Sequence, residues 1–367
     1  MTGQADSLPA ARRRKRKNIR VQGPDTPAPR ATPRAAAAKA DAPHFRAGWR
    51  IIAAKEFADH ISSWRFLGLT IVLALVGAAA VFATGGVIKS FAQQASGTQS
   101  LFLILFAPPS SLQTLNQVPA FTVLIPFLIP LLGIAFGFDA INGERSEATL
   151  PRLLAQPIYR DDVINGKFVA GLASIGLVLA MVMGIVGAIG VIQLGIVPSA
   201  EDVMRLIVWW LLSLLYIGFW LAFALLCSVV VRRAATSAII ALSVWLVLSL
   251  FFTLVVGIVA NFLSPVAADS STSSPDTVAN AALQLNLSRL SPNQLFNEAT
   301  GAVLNPTIRT TSPALVTDTQ ADQAVTSVLP LDQSLLVIWP QFIAIVAMTM
   351  VTFGVAYVAF MRQEVRA

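Results

Sequence analysis

The side chains best suited to recognition chemistry fall in one connecting stretch. It reads Phe138-Asp139-Ala140-Ile141-Asn142-Gly143-Glu144-Arg145-Ser146-Glu147-Ala148-Thr149-Leu150, then Leu153-Leu154-Ala155-Gln156-Pro157-Ile158-Tyr159-Arg160, and ends at Gly166-Lys167. Acidic residues come first and Pro157 comes last, the order expected of a short helix from Arg145 to Ala155. Leu150, Leu153 and Leu154 give that helix a small apolar face, which suits the groove of a partner protein. An ordinary capped connector would carry the same residues, and both readings stand at this point. Catalysis has little to work with. The two histidines, His44 and His60, belong to no metal-binding spacing, and the one cysteine, Cys227, lies inside an apolar run. An intramolecular disulfide and a Cys-based metal site are therefore excluded. Gly166-Lys167 is the only Gly-Lys pair, and Phe168 follows it. A phosphate-cradling loop needs Ser or Thr there, so an ATP-hydrolysing module is absent.

The elements that position this stretch are membrane helices. The chain is 55% hydrophobic and 12% charged, against about 25% charged in soluble domains. Apolar runs long enough for a bilayer's hydrocarbon core are expected at about 66–88, 118–138, 168–191, 206–231, 238–263 and 335–360. The fold class is all-α, a membrane protein of six spans preceded by an amphipathic interface helix at 45–65. In that helix Trp49, Ile52, Ala53, Phe57, Ile61 and Trp64 recur at helical spacing between Arg50, Lys55, Glu56 and Asp59. Residues 1–44 form a basic Ala/Pro-rich tail with too few large apolar residues for a core, expected to be disordered. Leu101–Ala107 is too short to span and is expected to pack or re-enter. Pro119, Pro126 and Pro130 should kink the second span. Gly176, Ala180, Gly184 and Ala188 make a small-residue ridge on the third, open to close helix packing within the chain or to a moving contact.

Charge sets the expected orientation. With the N-terminus inside, the inner pieces hold 22 of the Lys and Arg residues and the outer pieces only Lys89, Arg205, Arg289 and Arg309. Both termini are thus expected in the cytoplasm. The basic cluster Arg12 to Lys17 reads as part of this asymmetry, and no nucleic-acid partner is expected. Trp209, Trp210 and Trp339 fall at outer span ends, where interfacial tryptophans sit. Residues 264–334 form the one sizeable outer segment, with helical periodicity over Val278–Leu290 and loop elsewhere. It is open to an outer-side partner or to a mere connecting role. No span has a His, or an Asp or Glu away from its end, so an intramembrane enzyme and a proton-coupled carrier are disfavoured. Tyr216, Phe219, Trp220 and Phe223 in the fourth span, with Trp245 in the fifth, are candidates to line a substrate path. An aromatic stripe that packs or faces lipid has the same appearance.

The connector resembles the coupling loop of ABC transporter permeases of the type-2 export family, and most closely the branch that includes the permease of nitrous-oxide-reductase maturation systems. Glu144-Arg145, Thr149-Leu150, Leu153-Leu154, Pro157, Arg160 and Gly166-Lys167 match its pattern in order, and Lys55-Glu56-Phe57 with Arg65-Phe66 is similar to its interface helix. Ala148 stands where that family has glycine, and Pro151 falls inside the expected helix. The resemblance implies a non-enzymatic permease subunit of a prokaryotic inner membrane, working as a dimer. It implies that Glu144, Arg145, Glu147, Thr149, Leu150, Leu153, Leu154, Pro157 and Arg160 couple it to a separate ATPase. No cofactor is then expected on this chain, and ATP and Mg belong to the partner. Outward transport is implied with the substrate left open. The rival expectation is a scaffold that recruits cytoplasmic or outer-side proteins and moves nothing.

Overall fold

The computed structural model describes residues 48–94, 101–107, 121–147, 159–195, 197–266, 274–306, 308 and 329–363. Among these, regular structure is helical throughout: α1 Gly48–Ile61, α2 Trp64–Gln94, α3 Leu101–Phe106, α4 Phe121–Gly137 and α5 Asn142–Ser146 come first. They are followed by α6 Arg160–Leu194, α7 Ala200–Val230, α8 Ala234–Leu246, α9 Phe252–Leu263, α10 Pro275–Ser288, α11 Pro292–Leu304 and α12 Leu331–Met361. A π-helical turn, Val247–Phe251, joins α8 to α9 as one long helix. Six helices are long and apolar enough to cross a membrane, with mean hydropathies from 2.1 to 2.7. They coincide with the six expected runs. The chain is therefore an all-α, multi-pass membrane protein.

Local chemistry sets several of these boundaries. Ser199 opens α7 by accepting from the Asp202 backbone N–H, while the Asp202 carboxylate accepts from the Ser199 N–H. This reciprocal cap satisfies two donors that the first turn would otherwise leave free. Gly195 ends α6 with φ of 68°, a left-handed conformation that glycine adopts without strain.

The core forms around α7. Trp209, Tyr216, Ile217, Trp220, Leu221 and Ala224 are buried there against α4, α6, α11 and α12. Close approach of α4 and α7 depends on Gly133 and Gly137. A Cβ at Gly133 would sit 3.0 Å from the Leu221 nitrogen, and one at Gly137 2.7 Å from Ala224 Cβ. This Gly-x-x-x-Gly pair provides the close packing that the sequence reading assigned to the third span. There, Gly176 of the expected ridge meets Leu214 and Trp210 of α7, while Ala180, Gly184 and Ala188 are exposed, and among the described residues nothing lies within 4 Å of a Cβ at Gly184.

Pro126 and Pro130 lie inside α4 as expected. Pro130 has no N–H to offer the carbonyl four residues back, which is that of Pro126. The Tyr216 hydroxyl donates to that oxygen instead, at 3.0 Å, so a tertiary contact satisfies the group that proline leaves free. The run from Leu101 forms α3, whose Leu103, Ile104, Leu105 and Phe106 are buried against neighbouring helices.

The segment expected as loop after Leu290 is corrected by α11. Asn280 of α10 donates to Asn261 and to the Ser264 carbonyl near the end of α9. At the tip between α10 and α11, Ser291 donates to the Leu248 carbonyl, midway along the α8–α9 helix. The Val303 carbonyl then accepts from Arg205, near the start of α7. The hairpin therefore dips to mid-helix depth and returns. Phe296, Ala299, Ala302 and Val303 are fully buried, and the Phe296 ring stacks on Tyr216 at 4.5 Å. Trp209 is likewise corrected from an interfacial position. It is buried, and its indole N–H donates to Thr300 of α11.

Candidate functional site

The basic ends of the helices converge around α5. Two backbone donors at the entrance of this short helix, the N–H groups of Ile141 and Asn142, both reach the buried Ser228 hydroxyl, at 2.9 and 3.1 Å. The Asn142 amide donates to the Val231 carbonyl at the end of α7. Asp139, between α4 and α5, pairs with Arg65 of α2 at 2.6 Å. Four elements besides α5 itself meet this connector, and each contact is made by a different side chain.

Glu144 and Arg145 point to separate partners. Glu144 lies 2.7 Å from the Nζ of Lys167 in α6, and the same Nζ lies 3.1 Å from Glu56 of α1. Only 5% of the Lys167 side chain is exposed. Arg145 donates to the Gln363 side chain just beyond α12, Arg160 donates to the Gln363 carbonyl, and the Gln363 amide reaches the Val229 carbonyl at 2.5 Å. Adjacent residues thus anchor the connector toward α1 and α6 on one side and toward α7 and α12 on the other. A cleft of about 400 Å³ opens beside Lys167, lined by residues that include Asp59, His60, Phe136, Asp139 and Glu147.

Of the helix expected from Arg145 to Ala155, Arg145 and Ser146 are described as the last residues of the short helix α5, Asn142–Ser146, which ends at Glu147. The remainder of that expectation lies outside the described residues, with Thr149, Leu150, Leu153, Leu154 and Pro157. Glu147 closes α5 and is exposed. The sequence-picked coupling residues that are described fall together at the foot of the bundle.

The helix expected before the first span is present as α1, and it packs lengthwise along α6. Ile52 meets Gly166, Glu56 meets Lys167, and His60 lies 3.1 Å from the Ser174 hydroxyl. A Cβ on Gly166 would fall 2.8 Å from Ile52 and 2.9 Å from the Trp49 carbonyl. His60 also meets the edge of Phe136 at 4.9 Å. Burial, opposed by nearby Glu56, lowers its pKa below the ordinary histidine value. Lys55, on the exposed side, is raised by its hydrogen bond to Asp59.

Sequence reasoning did not find Ser228, Gln363 or the joint use of Lys167 by Glu56 and Glu144. The signal available for the last was charge at span edges, where an unpaired ion is costly. The aromatic residues are divided in their burial. Tyr216 and Trp220 are fully buried, while Phe219, Phe223 and Trp245 are half-buried. Phe219 and Phe223 both meet the Trp220 ring edge-on.

A polar group also sits behind this core. Glu298 of α11 pairs with Arg289 at 3.0 Å and accepts from Gln294 and Gln341. Among the described residues no group of three or more His, Cys, Asp or Glu is arranged to hold a metal ion.

Comparison with known proteins gives two relatives of the same name. One, "Probable ABC transporter permease protein NosY" of Stutzerimonas stutzeri, is 35% identical over 138 residues, 36% of this chain and 48% of the relative. Its namesake in Pseudomonas aeruginosa is 30% identical over 156 residues, 42% of this chain and 49% of the relative. The chain spans about half the length of the curated relatives it matches. A family profile described as ABC-2 family transporter protein matches residues 50–365. Both the six spans and the anchored connector lie within that match, and the chain belongs to the ABC-2 family of transporter proteins.

Proposed function

We propose that this chain is the permease subunit of an ATP-binding-cassette exporter in a prokaryotic cell membrane, with both termini in the cytoplasm. Two permease chains pack together, and each docks a separate ATPase subunit, which carries ATP and Mg, through residues 144–157. Closure of the ATPases pushes the connectors and alternates access to the two sides. The family match supports this reading, as do the names of the two relatives. The observation that carries it is the connector's attachment to α2, α6, α7 and the end of α12 by separate polar contacts. A push on a segment held by all these helices is delivered to the bundle as a whole. Coupling between two sites requires such a shared element.

The test is gentle purification from the native membrane followed by identification of what accompanies the chain. A stoichiometric protein with a phosphate-binding loop and ATPase activity is expected. A clean, well-folded preparation without one would overturn the transporter reading in favour of a recruiting scaffold.

A further inference from the structure

We infer that Lys167 is a positioning residue for ATPase coupling, locking α1 to the connector so that the two move as one body. The inference rests on the permease reading and concerns a side chain buried within this chain.

A buried lysine charge at this junction adds little to stability by itself. Lys167 is the second residue of a Gly-Lys pair about two turns into α6, and its side chain is 5% exposed. Its ammonium is shared by Glu56 of α1 at 3.1 Å and Glu144 of α5 at 2.7 Å. Ion pairs taken out of water add little stability over apolar residues of the same size, because desolvation offsets the attraction. What a buried triad does supply is a specific arrangement, since both carboxylates converge on one ammonium. Lys55 also approaches Glu56, at 3.5 Å, but its side chain is 64% exposed and solvent screens the contact.

The neighbouring residue serves the same junction. Gly166 lets the α1 backbone come within 2.9 Å of where a Cβ would stand. Glycine thus brings α1 against α6, and lysine ties it there to α5. Remove the lysine, and two partly buried carboxylates from different segments face one another across the junction. The bridge between α1 and the connector is then gone, and like charges in that setting add repulsion.

Asp59 of α1 and the exposed Glu147 at the end of α5 line the same cleft beside Lys167. An Asp59→Cys, Glu147→Cys pair therefore reports on the junction, and the native Cys227 is buried. The experiment uses the full chain in membranes with its copurifying ATPase, a short bismaleimide, and cross-linking rates measured with and without ATP and Mg.

The parent pair is expected to cross-link at one rate in both states. Lys167→Met should slow it about tenfold or more, and Lys167→Arg should restore it. The neutral triple variant Glu56→Gln, Glu144→Gln, Lys167→Met leaves no buried ion unpaired, so it should stay folded and still cross-link slowly. Stimulation of the ATPase by the chain should fall in Lys167→Met and recover in Lys167→Arg.

Parent-like cross-linking in the neutral triple variant, whatever the Met variant does, would overturn the lock. Unchanged ATPase stimulation in Lys167→Met would overturn the coupling role. A preparation of the unsubstituted chain with no ATPase would instead sink the transporter reading itself, and the coupling role with it. The failures are thus separable.

Discussion

Glu144 and Arg145 are neighbours in sequence, yet they join the connector to different helices. A turn of helix directs adjacent side chains about 100° apart, so one reaches Lys167 and the other Gln363. His60 illustrates the same dependence on surroundings. It stands between Ser174 and Phe136, near Glu56, Asp139 and Lys167, and desolvation disfavours its charged form. The unfolded chain then binds a proton that the folded chain refuses. Stability should rise with pH through the window below about 6.5 and be lost as pH falls through it. Carboxylates contribute to the same window, so the measurement is a difference. The fall in Tm between pH 7.5 and pH 5.5 should be smaller in His60→Gln than in the parent; equal falls would exclude His60 as the source.

Among elements, the α4–α7 contact and the exposed face of α6 make opposite predictions for the same change. Gly137→Ala places a methyl 2.7 Å from Ala224 Cβ, against helix backbone that cannot rotate away. Overpacking of this kind costs about 1–3 kcal/mol. Gly184→Ala meets open space within the chain and should change stability by no more than about 0.5 kcal/mol. Thermal unfolding of the two variants in detergent compares them directly. The α10–α11 hairpin supplies the other element-scale lesson. Its tip hydrogen-bonds at the π turn of the fifth span, where Ser291 takes the Leu248 carbonyl. Glu298 becomes acceptable beside that span because Arg289, Gln294 and Gln341 surround it.

For the whole molecule, the basic residues at one end of the bundle favour the cytoplasmic side. Ser146 and Ala279 are both exposed and lie on the connector and on the hairpin respectively. A membrane-impermeant maleimide applied to intact cells should label Ala279→Cys and spare Ser146→Cys. The reverse pattern would invert the orientation. Insertion in that orientation puts the anchored connector where a cytoplasmic ATPase can reach it, and the hairpin where it covers the opposite end of α7.

The number of spans was legible from sequence because apolar length is a local property. A helix that satisfies its own backbone groups needs only about twenty suitable residues to cross. The connector was legible too, since it gathers charge between two such runs. The α11 helix was not. Ser291-Pro292 is an adequate helix start, but the Asn, Gln and Glu residues that follow look like surface until Gln341 and Trp209 are brought beside them. Nor could the sequence place the tight helix contact. Gly133-x-x-x-Gly137 and the ridge beginning at Gly176 have the same spacing, and only the first meets α7 along its length. Sequence determined the membrane, the six helices and the location of the charged connector. Tertiary structure decided which partners share Lys167, which glycines touch a neighbour, and how the polar hairpin is buried, because each depends on residues of different helices, far apart in sequence, meeting in space.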